Sequence, residues 1–473
     1  MSAQNLKSLL CNLPINRKSL IALLLSAALL GLTITPPLIR SAPLQTPTIV
    51  PLIPNDPAWQ TNLGEIHDLP NGFGWIDWLK SHPSQETTEV VALIADGSVD
   101  CTHPEIRDQC LPQLAQNLTD EPFYLDNNGH GPGVTSAFVS TVNNHLAALG
   151  TAGYGGKVRF IPDKTLRSDN TTTSTFLQRA YQHALDLKAG GVNIKLLVVS
   201  STTFGDSVPQ ESLRLIRLLK DQDILIVAAA GSGGVDLDHA AIKRYPAAYG
   251  LTESNVRAVA ATDPTGLALE PTSAFGSNTI KWAALGRNVP IYAHTDPTGL
   301  GSGSGSGTSF AAPLAAGIYA AACVYRGQGM TKVLRRLDRS CRGPVSGVGY
   351  GVPRLGKTLE DVPVTLLVAP LESVTQKAEP FGKTSLFASD SSNRLVMFLE
   401  NVDAPLALSE ISIVVQDSAN HLFTVMPEAV REVPQNEWIT QVNFKLPPEV
   451  AAGGVRITIT ARGTSSMITT PVL

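Results

Sequence analysis

Residues 301–317 read GSGSGSGTSFAAPLAAG. The first seven have the composition of a flexible connector, and the last ten that of a buried helix. If the glycine–serine run is a linker, the chain breaks near residue 307 and nothing chemical stands at its end. If it is a loop feeding directly into a helix, the elements on either side belong to one domain, and Ser309 stands where that helix starts. The surrounding chain decides.

Upstream, from residue 89, the runs EVVALIA, KVRFI, IKLLVVSS, DILIVAAAG and VRAVAAT are short, β-branched and nearly continuous in apolar residues. A strand with one wet face alternates; runs such as these are buried on both faces, as in a parallel sheet. Between them, STFLQRAYQHALDLKAG and ESLRLIRLLKDQD carry apolar residues at the three- and four-residue spacing of amphipathic helices. Alternation of strand and helix predicts an α/β fold with right-handed crossovers. In such sheets function collects in the loops at the carboxyl ends of the strands.

Past residue 361 the texture changes. LVMFLENV, ISIVVQDS, HLFTVMP, WITQVNFKL and VRITITARG alternate or run apolar, separated by Asn, Asp, Ser, Pro and Gly. This predicts a smaller all-β, sandwich-like domain over 365–473. It contains no catalytic cluster, so its expected job is structural or adhesive, with a surface partner as its ligand.

The 473-residue chain carries 36 Lys and Arg against 40 Asp and Glu, a net charge of −4. With no basic block and few aromatics, it has no electrostatic footprint for nucleic acid. Near the N-terminus, Lys7, Arg17 and Lys18 precede the uncharged run SLIALLLSAALLGLTIT, which ends at Pro36-Pro37. A basic flank before such a run reads as an export signal within residues 1–40, marginally short for a spanning helix. No clean A-x-A site follows, which leaves an uncleaved membrane anchor as the alternative. Either way the bulk of the chain is expected outside the cytoplasm, secreted, periplasmic or anchored. A Pro-rich spacer covers 41–53, and NDPAWQTNLGEIHDLPNGFGWIDWLKSHP then reads as a surface arm ending in a short helix.

Beyond the apolar run stand Cys101, Cys110, Cys323 and Cys341. An even number in an exported chain favours disulfides, and four cysteines allow three connectivities. Proximity in sequence selects Cys101–Cys110 and Cys323–Cys341 over the alternative of free buried thiols. There is no C-x-x-C pair, so a cysteine-rich metal site is not expected.

Three places combine an apolar element with a polar residue at its end. In VALIADGSVDCTHPEI, Asp96 stands as a strand finishes. In DNNGHGPGVTSAFVS, His130 precedes Gly-Pro-Gly and a helix, with Pro132 near the helix start, where a missing N–H does no harm. In the opening stretch, Ser309 lies between GSGSGSGT and FAAPLAAGIYAAAC. Taken singly, each has a plain reading as a cap or turn residue. Their combination, in the order Asp, His, Ser on one parallel α/β scaffold, does not.

Here the sequence resembles the subtilisin-like serine proteases, the subtilases. Gly307-Thr308-Ser309-Phe310-Ala311-Ala312-Pro313 matches that family's Gly-Thr-Ser-x-x-x-Pro nucleophile motif, and His130-Gly131 its histidine motif. Counting back from His103-Pro104 puts Asp96 at the catalytic position. AAAGSGG (228–234) aligns with the oxyanion-hole segment and RYPAAYG (244–250) with the stretch after it. The closing VGYGVPRLG resembles the end of such a domain, so the resemblance covers 54–361.

It implies a subtilisin-like sheet, protein or peptide substrates, and a triad of Asp96, His130 and Ser309. The glycine–serine run becomes a loop and edge strand beside the cleft, with Ser309 at a helix N-terminus where a negative oxygen is favoured. Thr203-Phe204-Gly205 is implied as one cleft wall, by extended backbone pairing. Calcium is common in the family, but no D-x-D-x-D loop occurs here, so no metal or other cofactor is assigned. Between the signal and the arm there is too little chain for the usual inhibitory prodomain, so either the domain folds without one or the protein is not an ordinary zymogen.

Three departures bear on activity. Asp96-Gly97-Ser98 inverts the family's Asp-Ser/Thr-Gly, and His130-Gly131-Pro132-Gly133 replaces His-Gly-Thr-His. Ser232 stands where the oxyanion Asn is expected, and losing that donor costs about 10²–10³ in kcat. The oxyanion hole would then consist of Ser232 and the Ser309 N–H. The implied activity is therefore that of a serine endopeptidase of reduced rate. The alternative is a pseudoprotease whose cleft binds peptide without cutting it.

Overall fold

The apolar runs fold as expected. They form β1 (Val90–Asp96), β2 (Val158–Lys164), β3 (Ile194–Val199), β5 (Leu225–Ala229) and β7 (Val256–Thr262), to which the structure adds the short β4 (Thr203–Gly205) and β6 (Lys243–Tyr245) and a further strand, β8 (Ile280–Leu285). All but β4 and β6 make one sheet, ordered β2-β1-β3-β5-β7-β8, with every neighbouring pair parallel. The computed structural model describes residues 89–472 apart from 123–128, 142–143, 147, 149, 156, 299, 327–328, 360–364, 367–370, 373–393, 401–405, 434–435 and 462–463. The export segment (1–40), the spacer (41–53) and the arm that follows lie outside the described residues.

The sheet is buried on both faces, which is why its strands read as continuous apolar runs. Successive residues of β1 go to opposite sides: Val90, Ala92 and Ile94 join one core, and Val91, Leu93 and Ala95 the other. The helices sort accordingly. On one side pack α1 (His130–Val139), through Val134, Ala137 and Phe138. On the other pack α2 (Ser174–Ala189) and α3 (Gln210–Asp221), through Leu177, Tyr181, Leu215 and Leu219. Helix α2 begins where it does because the Thr173 hydroxyl accepts from the Phe176 N–H at 3.2 Å, an N-cap.

Between β8 and the next helix, β9 (Val289–Tyr292) and β10 (Ser302–Gly305) pair antiparallel. The glycine–serine run is thus an edge strand and a turn. Helix α4 (Thr308–Arg326) follows at once, packed with α1 in the first core. It is apolar around its circumference because it is buried around its circumference: it is long and apolar enough to cross a membrane, but 89% of its apolar window lies inside the protein. Next come α5 (Met330–Ser340) and the one-turn α6 (Leu355–Leu359).

The C-terminal strands are β11 (Thr365–Leu366), β12 (Leu371–Glu372), β13 (Arg394–Glu400), β14 (Ile411–Gln416), β15 (Leu422–Val425), β16 (Pro427–Val433), β17 (Asn436–Lys445), β18 (Gly453–Ala461) and β19 (Thr464–Val472). They form two antiparallel sheets, β11-β13-β17-β16 with β12 beside β13, and β15-β14-β18-β19. Leu395, Met397, Ile413, Val442, Phe444 and Ile457 fill the core they share. This region meets the α/β part through charge. Glu400 accepts from Arg335 Nε at 2.9 Å and also pairs with Arg339, while Lys332 pairs with Glu432.

Two cysteine expectations part company. Cys101 and Cys110 are joined, with their Cα atoms 5.7 Å apart. Cys323 and Cys341 are free, which corrects the expected second disulfide. Cys323 faces the core from inside α4, whereas Cys341 follows α5 and turns its Sγ onto the Leu337 carbonyl at 3.2 Å. Burial pushes the Cys323 thiol up to about 12, and that of Cys341 upward as well.

Candidate active site

The sheet order reverses between β2 and β3, on either side of β1. Such a switch point opens a crevice at the carboxyl ends of the strands. Asp96, the last residue of β1, is buried there. Its Oδ1 accepts from the Gly97 N–H at 2.8 Å and from His130 Nδ1 at 2.7 Å. A carboxylate can only accept, so His130 carries its proton on Nδ1 and Nε2 is its basic nitrogen. The approach depends on glycine: a Cβ at Gly131 would lie 2.7 Å from the Gly97 carbonyl, so only glycine lets α1 start this close to β1. The His130 ring keeps 22% of its side chain exposed and tilts against Phe310, with centroids 5.9 Å apart.

Ser309 reaches the same crevice from the first turn of α4. Gly307 precedes it at φ +120°, a conformation that favours glycine whatever the space around it. Pro313 inside the helix has no N–H to offer the carbonyl four residues back, which is that of Ser309. Ser200, just after β3, replaces it by donating its hydroxyl to that carbonyl at 2.9 Å. The Ser309 hydroxyl in turn donates to the Ser200 carbonyl at 3.1 Å.

His130, Ser309, Ser200 and Ser232 line one cleft of about 380 Å³. Ser232 lies in the loop after β5, and the neighbouring Gly231 N–H donates to the Thr308 hydroxyl at 3.0 Å, tying this loop to the start of α4. Strand β4 pairs antiparallel with β6, setting Thr203 opposite Tyr245, Phe204 opposite Arg244 and Gly205 opposite Lys243. Of the three residues expected in the wall, Phe204 lines the cleft, together with Thr202. Thr203 and Gly205 make the pairing that holds Phe204 there.

The structure therefore brings the Asp96 carboxylate onto the imidazole of His130 and sets Ser309 in the same cleft. Sequence reasoning missed Ser200, Leu166, Asn170 and Arg244, which also line it. The serine pair closing IKLLVVSS was the available signal for Ser200. Among the described residues, no group of three or more His, Cys, Asp or Glu side chains is placed to hold a metal ion.

Residues 87–334 match the family model described as the subtilase family, more than half of the chain. The chain belongs to the subtilases. It is similar to a thermostable alkaline protease of Halalkalibacterium halodurans, 30% identical over 46% of this chain and 53% of that protein. It is also similar to the major intracellular serine protease of Bacillus subtilis, 24% identical over 42% of this chain and 60% of that protein. The match thus spans a little over half the length of these curated relatives. Among solved structures, one described as the structural basis of subtilase cytotoxin SubAB assembly shares the fold. Its TM-score is 0.50 at 22% identity, covering 63% of this chain and 95% of that one. A subtilase fold accounts for the six-stranded parallel sheet with helices on both faces; the antiparallel C-terminal sheets are additional to it.

Proposed function

We propose that this subtilase is a serine endopeptidase working through Asp96, His130 and Ser309. The observation that carries the reading is the 2.7 Å contact from His130 Nδ1 to a buried carboxylate in the cleft that Ser309 enters. In this scheme Ser309 Oγ attacks the peptide carbonyl, and His130 Nε2 takes its proton and later gives it to the leaving amine. Asp96 holds the tautomer and stabilises the imidazolium. The negative oxygen that forms is met by the Ser309 N–H at the start of α4, aided by the helix dipole. Ser232 is the second candidate donor. Its hydroxyl is shorter than an amide arm, which supports a reduced rate.

A binding module without hydrolysis is the second reading, favoured by one observation: the Ser309 hydroxyl proton points to the Ser200 carbonyl. The catalytic reading outweighs it because one side-chain rotation redirects that proton, and such contacts tighten only with substrate bound. The Cys101–Cys110 disulfide supports the proposal that the chain is exported. Hydrolysis of casein and of a chromogenic tetrapeptide, compared with Ser309→Ala, tests the reading. Turnover that disappears in the variant supports it, and equal rates in both overturn it.

A further inference from the structure

The cleft contains a guanidinium that the catalytic scheme does not use. Arg244, in β6, lines it beside Ser232 and Phe204. Its Nη1 donates to the Ser232 carbonyl, and its Cζ lies 5.8 Å from the centre of the Phe204 ring. The position of the guanidinium depends on bare backbone: a Cβ at Gly231 would meet Nη1 at 2.8 Å. One of the five guanidinium donors is thus used on the protein's own carbonyl, and the others remain for a ligand.

Among the described residues, Arg244 lacks a counter-charge. Arg257, also part of the α/β domain, is neutralised by Asp338 at 3.0 Å. Among the described residues, Arg244 has no carboxylate within ion-pair distance, and none of those lining the cleft is acidic. Asp206, just past β4, lies close enough to raise the Tyr245 phenol but makes no ion pair with Arg244. Burial lowers the guanidinium's proton affinity, the sign of a cation partly stripped of water whose partners, the Ser232 carbonyl and the Phe204 ring, carry no charge. A planar fork in a half-dry cleft is matched by a carboxylate, which it binds through two parallel N–H···O bonds.

We infer that Arg244 makes this cleft select peptides with an acidic side chain, Glu or Asp, beside the bond presented to Ser309. The inference rests on the peptidase reading for the identity of its ligand and adds the substrate class. Lysine- or arginine-bearing peptides are disfavoured by the same charge.

The test uses the full chain carrying Ser309→Ala, so that recognition is read with or without hydrolysis. Fluorescein-labelled, C-terminally amidated hexa-alanine peptides, with one residue changed to Glu, Gln or Lys at each position in turn, are titrated by fluorescence polarisation. At one position Glu should bind about 10- to 100-fold more tightly than Gln, with Lys weakest. Arg244→Gln should abolish that difference, Arg244→Lys retain part of it, and Arg244→Glu reverse it toward Lys. A loosened Ser232 loop alone would weaken all peptides together and could not reverse the order. Equal binding of Glu and Gln peptides at every position, or a Glu preference that survives Arg244→Gln, overturns the inference. Acidic-peptide binding without casein hydrolysis by the unmodified chain would sink the peptidase reading and leave this one standing; the converse result would do the opposite.

Discussion

Ser200 and Ser309 exchange hydrogen bonds, each hydroxyl donating to the other's carbonyl, at 2.9 and 3.1 Å. The pair links the end of β3 to the first turn of α4. It exists because Pro313 cannot serve the Ser309 carbonyl. Ser200→Ala should leave that carbonyl without its donor and lower stability by about 1–3 kcal/mol, read as a drop in the urea midpoint. An unchanged midpoint would show that the carbonyl finds another partner.

Asp96→Asn keeps the shape of the side chain but no longer holds His130 in the Nδ1-protonated form. The expected result is a fall in kcat of about 10⁴ with the fold retained by circular dichroism. A fall of less than about tenfold would remove Asp96 from the scheme.

Ser232→Asn should work in the opposite direction. The longer amide arm would supply a donor to the oxyanion that a serine hydroxyl reaches poorly. We expect kcat to rise about 10-fold with KM little changed, because the gain is confined to the transition state. A folded variant with equal or lower kcat would show that Ser232 is a turn residue only.

The Cys323 thiol, pushed up to about 12 by burial, stays protonated at pH 8. Iodoacetamide should therefore leave Cys323 and Cys341 unmodified in the native protein. Both should alkylate once the chain is unfolded in guanidinium, without reductant, whereas Cys101 and Cys110 should require reductant. A peptide map containing Cys323 linked to Cys341 would contradict the structure.

Much of this was legible in the sequence. The strands β1, β2, β3, β5 and β7 stand out because burial on both faces leaves no polar position in the middle of a run. The sixth strand, IKWAAL, did not: it carries a lysine at its second position as β3 does, but the WAAL that follows has no β-branched residue where β3 has LLVV. In the C-terminal part, β16 and β19 read as polar because much of PEAVREV and TSSMITTPV faces solvent. Asp96, His130 and Ser309 stood out as polar residues at the ends of apolar elements beside glycines, of which Gly131 serves a close approach to Gly97 and Gly307 a positive φ. Distance along the chain misled at Cys323 and Cys341, where what matters is which face of which helix each thiol occupies. Arg244 lay in a segment legible as backbone pattern, yet its charge acquires meaning only when β6 folds beside β4 at the cleft.

The central claim is that Ser309 is a nucleophile activated by His130. Reaction of the folded chain with a fluorophosphonate probe, followed by peptide mapping, tests it most directly. We expect one phosphonylated residue, Ser309, with labelling abolished in Ser309→Ala and slowed at least about 100-fold in His130→Ala. An unlabelled Ser309 in a folded chain, or labelling at the same rate without His130, would contradict it.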